Sequence, residues 1–300
     1  MREFLKFVTR SRTHAAGTAV LGLLLPPFGF VAAGMVGLVT LKHGVADGAL
    51  ILAASVAVSS AVMLLALHSA DAAIFFAVSM GLPMLLLAAV LRNTASQGAA
   101  LTSAGLLGAS LIAAVHLLTA DPVTWWRRVL EIFLVERMQP GDAPDAAVAE
   151  SLREVAEKLA PLMSDAPTGI AIGTMVLLFL ARWGHALLDN PGGFGKEFRA
   201  LRLDRRVAFA AMVLGLSAIF FRQFASGLLP ELFNLMVALY VLQGIAVAHA
   251  LVKQRRASSG WLVAMYILLV LMSPLGMMVL SVMGFSDTWL DYRKRYGGQT

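Results

Sequence analysis

Hydrophobic residues along this chain collect into eight long runs, separated by shorter polar or charged segments. A helix that crosses a hydrocarbon core of about 30 Å needs roughly 20 apolar residues, and the runs have that length. No run alternates as a membrane β-strand does, and in a bilayer only helices or closed barrels satisfy every backbone group. The pattern predicts an all-α, polytopic membrane protein with one membrane domain over residues 1–300. The runs are 15–41, 48–67, 72–91, 98–119, 168–188, 207–229, 231–252 and 261–283.

The first run carries Pro26-Pro27 at its centre, where two prolines break a helix. At 1.5 Å per residue the run spans about 40 Å, which is too short for two full crossings but enough for a re-entrant hairpin. Two topologies therefore stay open. With eight full crossings, the Lys and Arg residues divide almost evenly between the two sides of the membrane. With a re-entrant first run, one side carries more Lys and Arg than the other, as the positive-inside rule expects.

Residues 120–167 form a first polar insert, in which acidic residues outnumber basic ones. Asp121-Pro122 supplies a helix N-cap followed by proline at the first helical position, and a turn signal follows at residues 139–141. The insert has too few apolar residues to form a hydrophobic core of its own. Its pattern therefore predicts two interfacial amphipathic helices. The apolar stripe of the second helix would consist of Val148, Leu152, Val155, Leu159 and Leu162.

Residues 189–206 form a second insert, which begins with the turn signal Asn190-Pro191-Gly192-Gly193. Phe194, Phe198 and Leu201 then follow at helical spacing among basic residues. This pattern predicts a short basic amphipathic helix that lies on the bilayer and contacts anionic lipid headgroups. The predicted headgroup contacts are Lys196, Arg199, Arg202, Arg205 and Arg206.

Composition agrees with a chain dissolved in lipid, because 59% of the residues are hydrophobic and only 14% are charged. The absence of cysteine excludes disulfides, iron–sulfur clusters and thiolate metal sites. The net charge of +6 does not indicate a nucleic-acid partner, since the basic residues flank the apolar runs, where membrane topology already accounts for many of them. The predicted partners are the bilayer, its anionic lipids and partner membrane subunits.

One distinctive segment covers Arg182-Trp183, Ala186-Leu187-Leu188, Asn190-Pro191-Gly192-Gly193-Phe194, Glu197-Phe198 and Leu201-Arg202-Leu203. Together with Leu41-Lys42-His43-Gly44 and the ending Asp287–Arg295, it resembles the YybS-like family of bacterial multi-pass inner-membrane proteins of unknown function. Gly184 and His185 depart from the family pattern. The resemblance implies a location in the bacterial inner membrane and a remote fold relation to the S components of energy-coupling-factor vitamin transporters, and it supplies no catalytic residues.

Motifs for chemistry are missing from the sequence. The segment Gly192–Lys196 lacks the spacing of a phosphate-binding loop, no two histidines stand at metal-ligand spacing, and no nucleophile elbow occurs. The sequence therefore predicts no enzyme activity, no catalytic residues, no metal site and no cofactor.

Polar residues inside the apolar runs are the remaining candidates for function, because polar groups in hydrocarbon are costly. We interpret Asn234, Tyr240, Gln243 and Arg222 as candidate ligand-binding residues. The alternatives are hydrogen bonds between helices for the residues of the seventh run and an ion pair with Glu231 for Arg222.

Two hypotheses about function follow. The first is a transporter-like membrane subunit that binds a small molecule through its last three helices and has no ATPase of its own. The alternative is a non-transport scaffold or assembly partner that acts through residues 120–167 and 194–206.

Overall fold

A computed structural model describes residues 1–25, 27–119, 121–136, 146–220 and 227–297. Across these residues the chain forms helices and their connections, with no β-strand, which confirms the all-α prediction. In the first half the helices are α1 (Arg2–Val8), α2 (Arg12–Leu24), α3 (Gly29–His43), α4 (Val45–Leu67), α5 (Asp71–Phe76), α6 (Leu82–Thr94), α7 (Gln97–Leu118) and α8 (Pro122–Glu131). Short π-helical segments, Ala77–Gly81 and Ile132–Glu136, join α5 to α6 and extend α8.

The second half of the chain continues the same architecture. Its helices are α9 (Ala146–Met163), α10 (Ala166–Asp189), α11 (Gly193–Arg199), α12 (Arg205–Phe220), α13 (Leu228–Gln254), α14 (Gly260–Leu271), α15 (Ser273–Leu290) and α16 (Tyr292–Gly297).

Within the part of the chain that the structure describes, five helical segments are long and apolar enough to cross a bilayer, and they confirm a multi-pass membrane protein. Two further apolar helices, α3 and α14, are shorter than a full crossing. The five segments are Val45–Ala66, Asp71–Thr94, Gln97–Leu118, Ala166–Asp189 and Leu228–Gln254.

The first apolar run folds into two short helices, α2 and α3, that pack together as a hairpin. This is the form that the re-entrant alternative predicts, and the path of the run through a bilayer stays a prediction. Arg12, at the start of α2, pairs with Asp47 at 2.6 Å, and Lys42, near the end of α3, donates a hydrogen bond to Thr9 at 3.3 Å. The two ends of the run therefore lie together. Since α2 has 13 residues, it is only about 20 Å long, which is shorter than a hydrocarbon core of about 30 Å.

The last apolar run also turns back, although its hydrophobicity predicts one crossing. A Cβ atom on Gly276 would lie 3.0 Å from Cα of Leu269, so α15 folds sharply against the end of α14. Pro274 stands in the first turn of α15, where its ring disfavours helical geometry at the preceding residue. Tyr266 of α14 contacts His249 of α13, with ring centroids 5.9 Å apart, and α15 then returns alongside α13.

Helix α13 is the most buried of the five candidate membrane-spanning segments and packs closely against α15. A Cβ atom on Gly244 would overlap the carbonyl oxygen of Leu280, and one on Gly284 would overlap the carbonyl oxygen of Tyr240. Glycines at a crossing let two membrane helices approach to backbone contact, which raises their van der Waals attraction.

Because the first and the last apolar run each fold back on themselves, α1, α11 and α16 lie together at one end of the bundle, which we call the basic end. Helices α8 and α9 lie at the opposite end, which we call the far end. Among the described residues, Lys and Arg lie at or near the basic end with four exceptions in α8 and α9. This distribution is far more uneven than eight full crossings would give. The exceptions are Arg127, Arg128, Arg153 and Lys158.

The acidic insert contains the two predicted helices, α8 and α9, and the predicted turn at 139–141 lies outside the described residues. The Asp121 carboxylate caps α8 by accepting hydrogen bonds from the backbone N–H groups of Val123 and Thr124, at 3.3 and 3.1 Å. Ala156 and Ala160 are buried on α9, whereas most of its predicted apolar stripe stays exposed.

The basic insert differs from its prediction as a single helix over 194–206. Helix α11 ends at Arg199, a non-helical segment follows, and α12 begins at Arg205. The aromatic side chains of α11 face the protein: Phe198 packs edge to face on Phe179 of α10 at 5.3 Å and on His249 of α13 at 5.5 Å. The aromatic face of α11 is therefore buried against α10 and α13.

Candidate functional site

The segment between α11 and α12 is anchored in the protein core at the basic end. Leu201 and Leu203 are each only 1% exposed, and the backbone N–H of Leu203 donates a hydrogen bond of 2.7 Å to the side-chain oxygen of Gln243. The same Gln243 amide donates to the carbonyl oxygen of Gly284 at 2.7 Å and to the Thr288 hydroxyl at 3.2 Å. One side chain therefore ties this segment to α13 and α15.

A fully buried carboxylate, Asp287, holds the end of α15 in place. It accepts a hydrogen bond of 2.6 Å from Arg293 and one of 3.1 Å from the backbone N–H of Tyr292, and the Arg202 guanidinium lies 3.7 Å away. The other nitrogen of the Arg293 fork donates to the carbonyl oxygens of Arg199 and Leu201, each at 2.9 Å. A buried charge is tolerated only when it is paired and hydrogen-bonded, and Asp287 meets both conditions.

Asp291 terminates α15 in the left-handed conformation, with φ of 47°, which turns the chain so that Arg293 can reach Asp287. The Asp291 carboxylate forms ion pairs with Arg202 at 3.0 Å and with Lys294 at 3.3 Å. Burial raises the pKa of Asp291, but the hydrogen bonds and charges of Arg202 and Lys294 lower it by more, so this pKa lies below its ordinary value.

A second ion pair joins α10 to α11. The Arg182 guanidinium donates to both carboxylate oxygens of Glu197, with 2.9 Å from Nε to Oε2. The Gln97 amide at the start of α7 also donates to Glu197, at 3.4 Å, and His185 lies 3.4 Å from Arg182. A two-pronged Arg–carboxylate pair fixes geometry as well as charge, so it positions three helices around one point.

A polar cavity of about 530 Å³ opens beside this ion pair at the basic end. Arg92 on its wall donates to the backbone carbonyl oxygens of Thr40 and Leu41 and so also caps α3. The cavity brings together two guanidinium groups, an imidazole, an amide and one carboxylate. Its wall consists of Leu41, Leu91, Arg92, Asn93, Ala95, Arg182, His185 and Glu197.

Of the residues that the sequence singles out for ligand binding, the three that the structure describes do not meet at one site. Gln243 and Tyr240 are buried in the protein, and the Tyr240 ring packs on Phe285 with centroids 5.4 Å apart. Asn234 is exposed and lies more than two turns from Gln243 on α13, and Arg222 lies outside the described residues. Both donors of the Gln243 amide are used within the protein. Ligand binding at these residues stays a prediction.

The predicted headgroup residues divide into two groups. Lys196, Arg199 and Arg202 line a second cavity at the basic end. Arg205 instead lies over the Trp289 ring, 5.9 Å from its centroid, and the backbone N–H of Arg206 donates to Asp204 at 2.8 Å. Contact of all five residues with lipid stays a prediction.

Sequence reasoning missed Asp287, Arg293 and Arg92 as site residues. Asp287 and Arg293 stand in the charged ending, where an amphipathic or frayed terminus is the ordinary interpretation. Asp287, however, still lies inside a helix that continues an apolar run, and a carboxylate there requires a partner. Arg92 directly follows the third apolar run, where a basic residue is ordinarily interpreted as a charge that flanks a membrane helix. Its sequence neighbours therefore give no sign of the cavity.

Comparison with known proteins gives one match. Residues 162–288 match the model of a family described as "Predicted membrane protein (DUF2232)". No curated protein matches the chain, and no solved structure does. The matched part begins at the end of α9 and includes Arg182, Glu197, Gln243 and Asp287. In this part the chain is similar to a family of predicted membrane proteins, in agreement with its multi-pass fold.

Proposed function

We propose that this protein is a transporter-like membrane subunit that binds a small molecule and has no ATPase of its own. The proposal includes its location in a bacterial inner membrane with the basic end in the cytoplasm. The observation that carries it is the 530 Å³ cavity between α6, α10 and α11. Small-molecule sites typically measure about 300–1,000 Å³ and combine apolar walls with a few convergent polar groups.

The wall of this cavity defines the class of ligand. Arg92, Arg182 and His185 offer donors for a carboxylate or phosphate group, Asn93 offers both a donor and an acceptor, and Glu197 can accept from an amine. Since Glu197 already receives three hydrogen bonds from Arg182 and Gln97, the surplus charge of the wall is positive. An anionic or zwitterionic polar metabolite fits this pattern.

The test compares two amide-to-acid substitutions in the purified protein. A thermal-shift screen with vitamins and other small polar metabolites first identifies a stabilising ligand. Asn93→Asp then places a negative charge on the cavity wall, and we expect ligand affinity to fall at least tenfold, equivalent to about 1.4 kcal/mol. Asn234→Asp is the matched control, because Asn234 is exposed on α13 and lies away from this cavity.

The two variants distinguish the cavity from the site predicted by sequence. Full affinity in Asn93→Asp together with a loss in Asn234→Asp would move the ligand to α13 and contradict the cavity. A screen in which no compound stabilises the protein would contradict small-molecule binding as a whole.

An exposed apolar stripe on α9 favours the second candidate, a scaffold or assembly partner. Val148, Val155, Leu159 and Leu162 remain exposed at the far end, although such side chains gain free energy when they are covered. A partner subunit that covers the stripe would be lost in the double variant Val155→Glu, Leu162→Glu. Native electrophoresis of detergent-solubilised membranes measures this: a complex that shrinks supports the scaffold, and an unchanged size opposes it.

A further inference from the structure

A second cavity at the basic end, of about 350 Å³, lies between the end of α11, the end of α13 and the start of α16. Its wall is strongly cationic: Lys and Arg supply six side chains, and the acidic residues supply one. Lining residues come from three parts of the chain that are far apart in sequence. They are Lys196, Arg199, Ala200, Arg202, Ala250, Lys253, Gln254, Asp291, Arg293 and Lys294.

Half of these cations are neutralised by the protein itself. Arg202 and Lys294 pair with Asp291, and Arg293 pairs with Asp287 behind the wall. These pairs are internal, so they hold the cavity's shape and use up both carboxylates.

The other half have no such partner. Among the residues that the structure describes, no carboxylate oxygen lies within 4 Å of Lys196, Arg199 or Lys253. Bringing three like charges to one cavity costs repulsion, which a bound anion would convert into attraction. The cavity wall therefore carries positive charge that no carboxylate of the described residues neutralises.

We propose that this cavity binds a phosphate group, and that in the membrane the group belongs to an anionic phospholipid. Ammonium and guanidinium donors are the usual partners of phosphate oxygens. The cavity also stands where α13, a membrane-spanning helix that ends at Gln254, leaves the hydrocarbon, which is the depth of the headgroups. A phosphate there bridges α11 and α13 and locks the basic end.

This site is separate from the cavity of the proposed function. The two cavities share no lining residue. Asn93→Asp therefore leaves phosphate binding unchanged, and each proposal can fail without the other.

The experiment uses the full-length protein and native mass spectrometry with added phosphatidylglycerol or phosphatidylcholine. The test variant is Lys196→Gln, Lys253→Gln, in which two exposed cations lose their charge. The control is Arg2→Gln, Lys6→Gln, which removes two charges from the same end but outside the cavity. A further arm measures the melting temperature in sodium phosphate against sodium chloride at equal ionic strength.

We expect the wild type and the control to retain phosphatidylglycerol in preference to phosphatidylcholine. The test variant should bind phosphatidylglycerol about 30-fold more weakly, because two headgroup contacts are lost. Equal weakening in both variants would overturn the proposal, since it would show diffuse attraction without a site. Stabilisation by inorganic phosphate without any preference for phosphatidylglycerol would retain the phosphate site and overturn its assignment to lipid.

Discussion

Replacing Gln243 by Leu tests whether one buried amide holds the basic end of the bundle together. Leu has a similar size and suits a membrane helix, so the substitution removes polarity with little change of shape. It leaves three groups without their partner: the backbone N–H of Leu203, the carbonyl oxygen of Gly284 and the Thr288 hydroxyl.

The three losses are unequal. The Leu203 N–H lies in a non-helical, buried segment, and leaving such a donor unpaired costs about 1–3 kcal/mol. The other two bonds join membrane helices and are worth about 0.6 kcal/mol each. Gly284 is also helical, so its oxygen keeps a partner within α15. The expected loss in the free energy of unfolding is therefore about 2–4 kcal/mol, and most of it arises at Leu203.

The assay is reversible unfolding in mixed detergent micelles, with Gln254→Leu as the matched control. Gln254 belongs to the same helix but is exposed, and its side-chain amide donates a hydrogen bond of 3.1 Å to the carbonyl oxygen of Arg293. We expect the control to lose under about 1 kcal/mol. Equal losses of unfolding free energy in the two variants would refute the reasoning, because the buried hydrogen bonds of Gln243 would then stabilise the protein no more than the exposed one of Gln254.

Three further predictions concern topology, helix contact and pH. Single cysteines at Arg12 and Lys42 should be labelled from the same side of the membrane by an impermeant reagent, and opposite-side labelling would contradict the re-entrant hairpin. Gly244→Ala should lower the melting temperature, because the added methyl overlaps the backbone of Leu280, whereas Gly173→Ala should not, since nothing lies within 4 Å of its Cβ position. Because the folded pKa of Asp291 is lowered, its stabilisation is complete above about pH 3.9 and is lost as the pH falls through the folded value. Asp291→Asn should therefore lower the melting temperature equally at pH 7 and pH 5, and a much smaller loss at pH 5 would contradict the ion pairs.

The apolar runs determine the membrane helices directly, because hydrocarbon leaves the backbone no partner except its own helix. Local signals also act within a few residues and are visible in the sequence. The turn at Asn190–Gly193 forms where it is predicted, with Gly192 at φ of 84°, and the cap at Asp121 forms as well. Pro26-Pro27 predicts a re-entrant hairpin for the same reason, although sequence alone leaves the choice of topology open.

The tertiary structure alone decides which distant groups meet. Gln243 finds its partners 40 to 45 residues away along the chain, and Arg202 meets Asp291 at a separation of 89. Hydrophobicity does not encode such pairings, since every membrane helix is apolar on all sides and lipid accepts each face equally. The interhelical role of Gln243, the burial of Asp287 and the two cavities depend on how α11, α13 and α15 pack, because a polar group in hydrocarbon becomes stable only where another helix brings its partner.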